Sequence, residues 1–284
     1  MNVIGGSASQ MLSKELAGCL KARLAKVETR RFPDDECYVR IHDDLDGEDV
    51  VVVQTTWPDR NIVELLLLQD AVREFEVNSL TTVVPYFGYA RQDKKFNTGE
   101  PISARAIARA VQTQTDQFLT VDIHATSIID WFDHVSAVNV SSHPDVGLFL
   151  KRHGVDMILS PDEGRWQNAK SVAQVVGCDA DFLVKERIDG ENVRMSPKSL
   201  DSKGKRVAIV DDIISTGSTI AKAAEQLRSQ GADKIIAVCT HGVFSKDAVP
   251  RLKAACDEVY SSDTIENPTT AISVAPQIAK AITR

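Results

Sequence analysis

Short apolar, β-branched runs alternate along the chain with longer stretches in which apolar residues return every three or four positions. The runs predict strands at Val50–Gln54, Thr81–Pro85, Gln117–Val121, Met157–Leu159, Phe182–Val184, Arg206–Val210 and Lys234–Thr240. The stretches predict helices at Ser9–Leu24, Ile62–Phe75, Ser103–Thr113, Asp145–Arg152, Trp166–Val176, Thr219–Ser229 and Pro276–Ile282. Asn61 and Ser218 read as N-caps, and Gly154, Gly177 and Gly231 as residues just beyond helix ends. The predicted strands are apolar throughout rather than every second residue, so both faces are buried. That pattern implies parallel sheets with helices on each side.

The pattern also repeats. Gly47-Glu-Asp-Val-Val-Val-Val-Gln54 aligns with Gly204-Lys-Arg-Val-Ala-Ile-Val-Asp211, and each is followed by loop, helix, turn and strand. The second strands end in Pro85-Tyr-Phe-Gly88 and Cys239-Thr-His-Gly242. We read two related α/β domains, residues 1–142 and 143–274, each a doubly wound parallel sheet, with a boundary near Ser141–Pro144. A final helix, 275–284, is expected to pack on the first domain. The halves differ at the loop after the repeated strand. The first has Gln54-Thr-Thr-Trp-Pro-Asp-Arg60, without glycine or an acidic pair; the second has Asp211-Asp-Ile-Ile-Ser-Thr-Gly-Ser-Thr219. One phosphate cradle per chain is expected.

Composition narrows the function classes. The 284 residues are 43% hydrophobic and 26% charged, which supplies a sizeable core and excludes wholesale disorder. Thirty-three basic against 40 acidic side chains give a net charge of −7, which argues against general nucleic-acid binding. Cys19, Cys37, Cys178, Cys239 and Cys256 show no C-x-x-C spacing, so neither a disulfide framework nor a zinc site is expected. The first 12 residues lack the basic-then-apolar form of a signal peptide, and no apolar run is long enough to span a bilayer. A cytoplasmic protein with reduced thiols is expected.

The Asp211–Thr219 segment carries the clearest chemistry. An apolar strand delivers two carboxylates to its end, and a Ser/Thr/Gly loop and helix follow. Such a loop can aim backbone N–H groups and hydroxyls at one phosphate, assisted by the helix dipole. The carboxylates repel a phosphate and suit sugar hydroxyls or a cation beside it. A sugar phosphate satisfies both halves of the loop.

This run resembles the phosphoribosyl-pyrophosphate loop of type I phosphoribosyltransferases. Further segments narrow the resemblance to the ribose-phosphate pyrophosphokinases, and to their archaeal members. They are Arg31-Phe-Pro-Asp-Asp-Glu-Cys-Tyr-Val-Arg40, Pro85-Tyr-Phe-Gly-Tyr-Ala-Arg-Gln-Asp-Lys94, Gly99-Glu-Pro-Ile-Ser-Ala-Arg105, Val121-Asp-Ile-His-Ala125, Ser160-Pro-Asp-Glu-Gly164 and Lys185-Glu-Arg187. A phosphoribosyltransferase that consumes the product shares the acidic loop but does not require the N-terminal segments.

The resemblance implies transfer of the pyrophosphoryl group of Mg-ATP to O1 of ribose 5-phosphate, giving phosphoribosyl pyrophosphate and AMP for nucleotide biosynthesis. It implies Mg²⁺ as cofactor, ATP and ribose 5-phosphate as ligands, and no nucleic acid or membrane partner. It assigns Asp211 and Asp212 to the ribose hydroxyls, and Ser215, Thr216, Gly217, Ser218 and Thr219 to the 5-phosphate. Lys185 and Arg187 become the catalytic cations of a loop running to Asp201. Phe32, Asp34, Glu36, Arg91, Gln92, Asp93 and His124 become ATP-binding residues, and His124 and Asp162 face the metal. The Phe32–Glu36 segment serves a neighbouring copy, so a homodimer or higher oligomer is expected, with the ATP site at the subunit interface. Asp35 stands where the family commonly has glycine, Arg165 where it has a second glycine, and Ser215 where many bacterial members carry aspartate; Ser262 stands where threonine is usual.

Overall fold

A computed structural model describes residues 1–187, 193–197, 201–245 and 247–283, with the side chains of 185–187 and 193–197 outside the description. Two units emerge. The first comprises Met1–Ser141, Thr264–Glu266 and Ser273–Arg284; the second comprises Ser142–Asp263 and Asn267–Ile272.

The first unit contains β1 (Asn2–Gly5), α1 (Gln10–Leu20), β2 (Arg23–Leu24), β3 (Val27–Arg31), β4 (Cys37–Ile41), β5 (Asp49–Val53), α2 (Arg60–Arg73), β6 (Ser79–Val84), α3 (Ser103–Val111), β7 (Gln117–Val121) and β8 (Ser136–Val140). Its parallel sheet runs β2-β1-β5-β6-β7-β8, while β3 and β4 form a separate antiparallel hairpin. Val50–Val53 are at most 1% exposed, as both-face burial requires. At roughly 1.5–3 kcal/mol per fully buried aliphatic side chain, this strand alone is a major source of stability. One face packs α2 and α3 around Phe87, Phe118 and Phe132. The other packs α1 against the last helix, whose Val274, Ala275 and Ile278 are fully buried.

The second unit contains α4 (His143–Arg152), β9 (Met157–Ser160), α5 (Trp166–Val176), β10 (Asp179–Arg187), β11 (Val193–Pro197), β12 (Arg206–Ile214), α6 (Ser218–Ser229), β13 (Lys234–Gly242), α7 (Ala248–Ala255), β14 (Glu258–Ser262) and β15 (Thr270–Ile272); α8 (Ala275–Ile282) belongs to the first unit. Its sheet order is β11-β10-β9-β12-β13-β14-β15, parallel except for β11 against β10. Dropping the hairpin and β11 leaves the same order in both units, so the strand-level repeat is a repeat of fold. No helix among the described residues is long and apolar enough to cross a membrane. None of the five cysteines forms a disulfide among the described residues.

Several local expectations need correction. The helix predicted from Ser9 to Leu24 ends at Leu20, because Lys21 turns left-handed at φ 52° and Arg23–Leu24 join the sheet edge. Asn61 lies inside α2 rather than capping it; Asp59 holds the cap position, and the Asn61 side-chain Nδ2 donates back to the Trp57 carbonyl at 2.6 Å. Ser218 likewise begins α6, and Gly217 is its cap. The strand predicted to stop at Val210 continues to Ile214, since β13 stays paired beside it as far as Gly242.

Phe118 is fully buried, stacked on Phe132 at 3.9 Å and edge-on to Phe87 at 6.0 Å. Phe118→Ala is expected to cost about 3–5 kcal/mol by leaving a cavity no neighbour can fill. Denaturant unfolding measures this loss, and a loss under ~1 kcal/mol contradicts the packing described.

Candidate active site

In the second sheet the chain winds outward in both directions from the β9–β12 pair. Loops leaving the carboxyl ends of those two strands diverge there and open a crevice, the usual ligand position in such sheets. Leu159 pairs with Ile209, which places Asp162 beyond one strand opposite Asp211 and Asp212 on the other.

The acidic pair is strand, not loop. Asp212 is 5% exposed, its amide donates to Asp211 Oδ1 at 2.9 Å, and its own Oδ1 accepts the Ile213 amide at 2.9 Å. Burial first, and the charge of Asp212 second, push the Asp211 carboxyl well above the usual range; Asp162 adds to the effect. Arg165 supplies the opposing charge. Its guanidinium lies 2.9 Å from Asp212 Oδ2, while its backbone N–H donates to Asp162 Oδ1 at 3.2 Å. One residue thus touches a carboxylate on each side of the crevice. The departure from glycine at 165 therefore places a positive charge beside the acidic pair.

Ser215, Thr216 and Gly217 follow β12 and lead into α6. Gly217 adopts φ +69°, and a Cβ there would lie 2.9 Å from Leu252 Cγ, so both backbone and space exclude a side chain. The Thr216 and Gly217 amides donate to no described residue. The first turn of α6 carries no acid, leaving its N-terminus attractive to an anion. Ser215 is held from β13's side, its carbonyl accepting the Ser245 amide at 3.0 Å. Ser218 and Thr219 are exposed.

In the first unit, Phe32, Asp34 and Glu36 form the tip of the β3–β4 hairpin. The Phe32 amide donates to the Glu36 carbonyl, and Asp34 accepts the Glu36 amide at 3.2 Å. Asp35, standing where the family commonly has glycine, adopts a positive φ of 68°. Arg30 stacks on both Phe32 and Tyr38, 4.8 and 4.2 Å from their ring centres. The hydrogen bonds and ring contacts of the tip lie within the hairpin itself. Arg91 is exposed on the loop beyond β6. The Gln92 side-chain oxygen accepts the Ser103 hydroxyl at 2.6 Å, committing it to the start of α3, and Asp93 is half-buried. His124, half-buried, follows the neighbouring strand β7. Arg91–Asp93 and His124 therefore follow neighbouring strands of one sheet, while the hairpin tip belongs to a separate two-stranded sheet.

The first sheet has its own reversal point, between β1 and β5. There Glu64, 3% exposed, accepts both the amide and the hydroxyl of Ser7 at 2.6 Å. Glu266 accepts the Met11 and Leu12 amides at the start of α1. A cavity of about 480 Å³ beside them is lined by Arg30, Arg31, Arg60 and Trp57 as well as Glu64 and Glu266. The Ser7 amide and hydroxyl are thus taken by the Glu64 carboxylate, and the Ala8 amide by the side-chain oxygen of Gln54 at 3.1 Å.

Lys185 and Arg187 have backbone in β10, paired with Met195 and Val193, but their side chains lie outside the described residues, as does much of the expected loop to Asp201. Among the described residues no three His, Cys, Asp or Glu side chains are arranged to hold a metal. Sequence reasoning missed Arg165 as the partner of Asp212, although its place three residues after Asp162 carried a hint. It also missed Arg251, which donates to the Thr216 carbonyl at 2.6 Å from a helix the sequence pattern did not predict.

Comparison with known proteins gives a consistent picture. Residues 1–114 match the family model described as the N-terminal domain of ribose phosphate pyrophosphokinase, and residues 148–277 match the phosphoribosyl transferase domain. A Methanopyrus kandleri protein named ribose-phosphate pyrophosphokinase is 42% identical over 99% of this chain and 98% of its own length. A Thermococcus kodakarensis protein of the same name is 43% identical over 97% of this chain and 98% of its own. Among solved structures, phosphoribosylpyrophosphate synthetase from Mycobacterium smegmatis superposes with a TM-score of 0.84 at 31% identity, covering 99% of this chain and 97% of that one.

The raised Asp211 pKa has a thermodynamic consequence. An unfolded aspartate titrates near ~3.9. The folded group holds its proton to higher pH, so stability falls as pH rises from the unfolded value through the raised one. Asp211→Asn removes the buried charge. It is expected to raise the melting temperature of the ligand-free chain, with a gain near zero at about pH 4 that grows toward pH 8. A gain that is absent, or constant across that range, contradicts the electrostatics described.

Proposed function

Because this chain belongs to the ribose-phosphate pyrophosphokinase family, we propose that it transfers the β,γ-pyrophosphoryl group of Mg-ATP to O1 of ribose 5-phosphate, releasing AMP. One observation supports the reading: an acidic pair with Asp212 buried and Asp211 half-buried, followed by a loop whose Thr216 and Gly217 amides donate to no described residue, at the reversal point of the second sheet. The loop amides and the α6 N-terminus take the 5-phosphate. Asp211 and Asp212 accept the 2- and 3-hydroxyls, which directs O1 away from the phosphate end.

The step is attack of O1 on the β-phosphorus. A bond forms between O1 and that phosphorus, the bond from it to the α,β-bridging oxygen breaks, and AMP leaves with that oxygen; the O1 hydroxyl gives up its proton to water. Little covalent work falls to the protein, which positions groups and balances charge. Lys185 and Arg187 supply positive charge to the transferring oxygens. Arg91 and Asp93 hold the nucleotide on the first unit, with Gln92 bracing the loop. The hairpin tip, with Phe32 37% exposed, reaches the nucleotide of a neighbouring copy in a homo-oligomer; its self-contained hydrogen bonds favour that role.

The donor set fits magnesium: Asp162 offers a hard oxygen at the mouth of an acidic crevice, and this ion keeps several waters beside one or two protein ligands. Asp162 and His124 are the residues we assign to it. Bound with ATP, it would draw charge from the phosphate oxygens.

The test is AMP release from ATP and Mg²⁺ with and without ribose 5-phosphate. AMP that appears only with the sugar, together with a pyrophosphorylated sugar, is expected. ADP in its place means γ-phosphoryl transfer and overturns the mechanism. Lys185→Ala and Arg187→Ala are expected to lower kcat by about 10²-fold or more with little change in KM for ATP, since their charge is needed most in the transition state. Equal losses in binding and turnover would reduce both residues to ordinary ATP ligands.

A further inference from the structure

The phosphate loop contains one peptide whose direction decides its chemistry. A trans peptide is planar, so the Thr216 carbonyl and the Gly217 N–H point in opposite directions. With the carbonyl outward, the N–H is available to an anion. With the peptide flipped, a carbonyl oxygen faces the anion and repels it. Gly217 makes the flip sterically accessible, because glycine tolerates dihedrals on both sides of φ zero.

Helix α7 selects one of these two states. Arg251 Nη1 donates to the Thr216 carbonyl at 2.6 Å and lies 3.3 Å from Ser218 Oγ. The next residue, Leu252, is fully buried and packs where a side chain at 217 would sit. Arg251 is itself fixed at the first turn of α7, its amide donating to the Asp247 carbonyl at 3.0 Å. Two consecutive residues thus hold the loop from outside, one by a charged hydrogen bond and one by contact. The freed Gly217 N–H donates to no described residue.

We infer that Arg251 is a positioning residue for the sugar phosphate: it holds the Thr216–Gly217 peptide with its N–H turned toward the ligand. The inference rests on the reading of Ser215–Thr219 as the 5-phosphate cradle. Arg251 acts through the peptide and does not itself meet the reacting atoms. Its effect therefore falls on ribose 5-phosphate affinity, and ATP affinity and the transfer step are spared.

Three variants separate the contributions. Arg251→Met keeps an apolar stem and removes the donors, Arg251→Lys keeps the charge and a donor nitrogen, and Arg251→Gln keeps a shorter neutral donor. Steady-state kinetics and calorimetric titration with ribose 5-phosphate supply the readouts. Arg251→Met is expected to raise KM and Kd for ribose 5-phosphate about tenfold or more, the usual scale for losing a hydrogen bond to a charged group. Its kcat at saturating sugar and its KM for ATP should stay within about twofold. Arg251→Lys should recover most of the loss, and Arg251→Gln should fall between, which also serves if Arg251→Met does not fold. Unchanged sugar affinity in Arg251→Met and Arg251→Gln overturns the inference, as does a parallel loss of kcat and of both affinities in all three. If the unaltered chain binds no ribose 5-phosphate, the cradle reading itself fails and the inference goes with it.

Discussion

Two carboxylates on consecutive residues of a largely buried strand repel each other in a place where water screens them poorly. That constraint at Asp211 and Asp212 organises the second unit. The strand must run on to Ile214 so that backbone amides can meet the acidic oxygens. The neighbouring β9 loop must bring a cation, which Arg165 provides. The chain must then turn at once into a loop and helix, where the field changes sign. The result is a crevice negative on one side and anion-seeking on the other. A sugar phosphate has the same polarity along its length, hydroxyls at one end and phosphate at the other. The hydrophobic core holds the strands in register, but the charge arrangement determines what the edge is good for.

Much of this was legible in the sequence. Interior strands such as Gln117–Val121 and the helix Trp166–Val176 were readable to the residue, because burial on both faces or on one stripe leaves a regular apolar trace. Elements with little such trace were not. The first strand offers only Val3 and Ile4 between polar and glycine neighbours, β14 carries two serines and a glutamate, and α7 contains Pro250, which reads as a breaker. In the site, Asp-Asp and Ser-Thr-Gly-Ser-Thr were visible because a strand, two acids and a loop follow one another in the chain. The groups that support them come from elsewhere in the chain and leave no local pattern: Arg165 from the loop after β9, Arg251 and Leu252 from α7.

The two units show how the same winding serves different ends. Each reverses strand order once and opens a crevice there. In the second unit the loop glycine sits at the helix cap with amides to spare. In the first, Gly6 lies so close to Gln54 that a Cβ would come within 2.4 Å of its side chain, and the loop is drawn down onto the sheet. The Ser7 groups that remain are spoken for by Glu64.

That carboxylate belongs to the same polypeptide as the loop it fills. A ligand tethered in this way has an effective concentration that no dilution lowers and no competitor in solution readily matches. The crevice loop of the first unit is in this sense permanently filled, whatever the concentration of a free anion. The crevice of the second unit is left as the one whose occupancy follows supply. Two copies of one winding thereby give one loop filled from within and one open to a ligand, and the difference turns on whether the anion in the loop is covalently owned or borrowed.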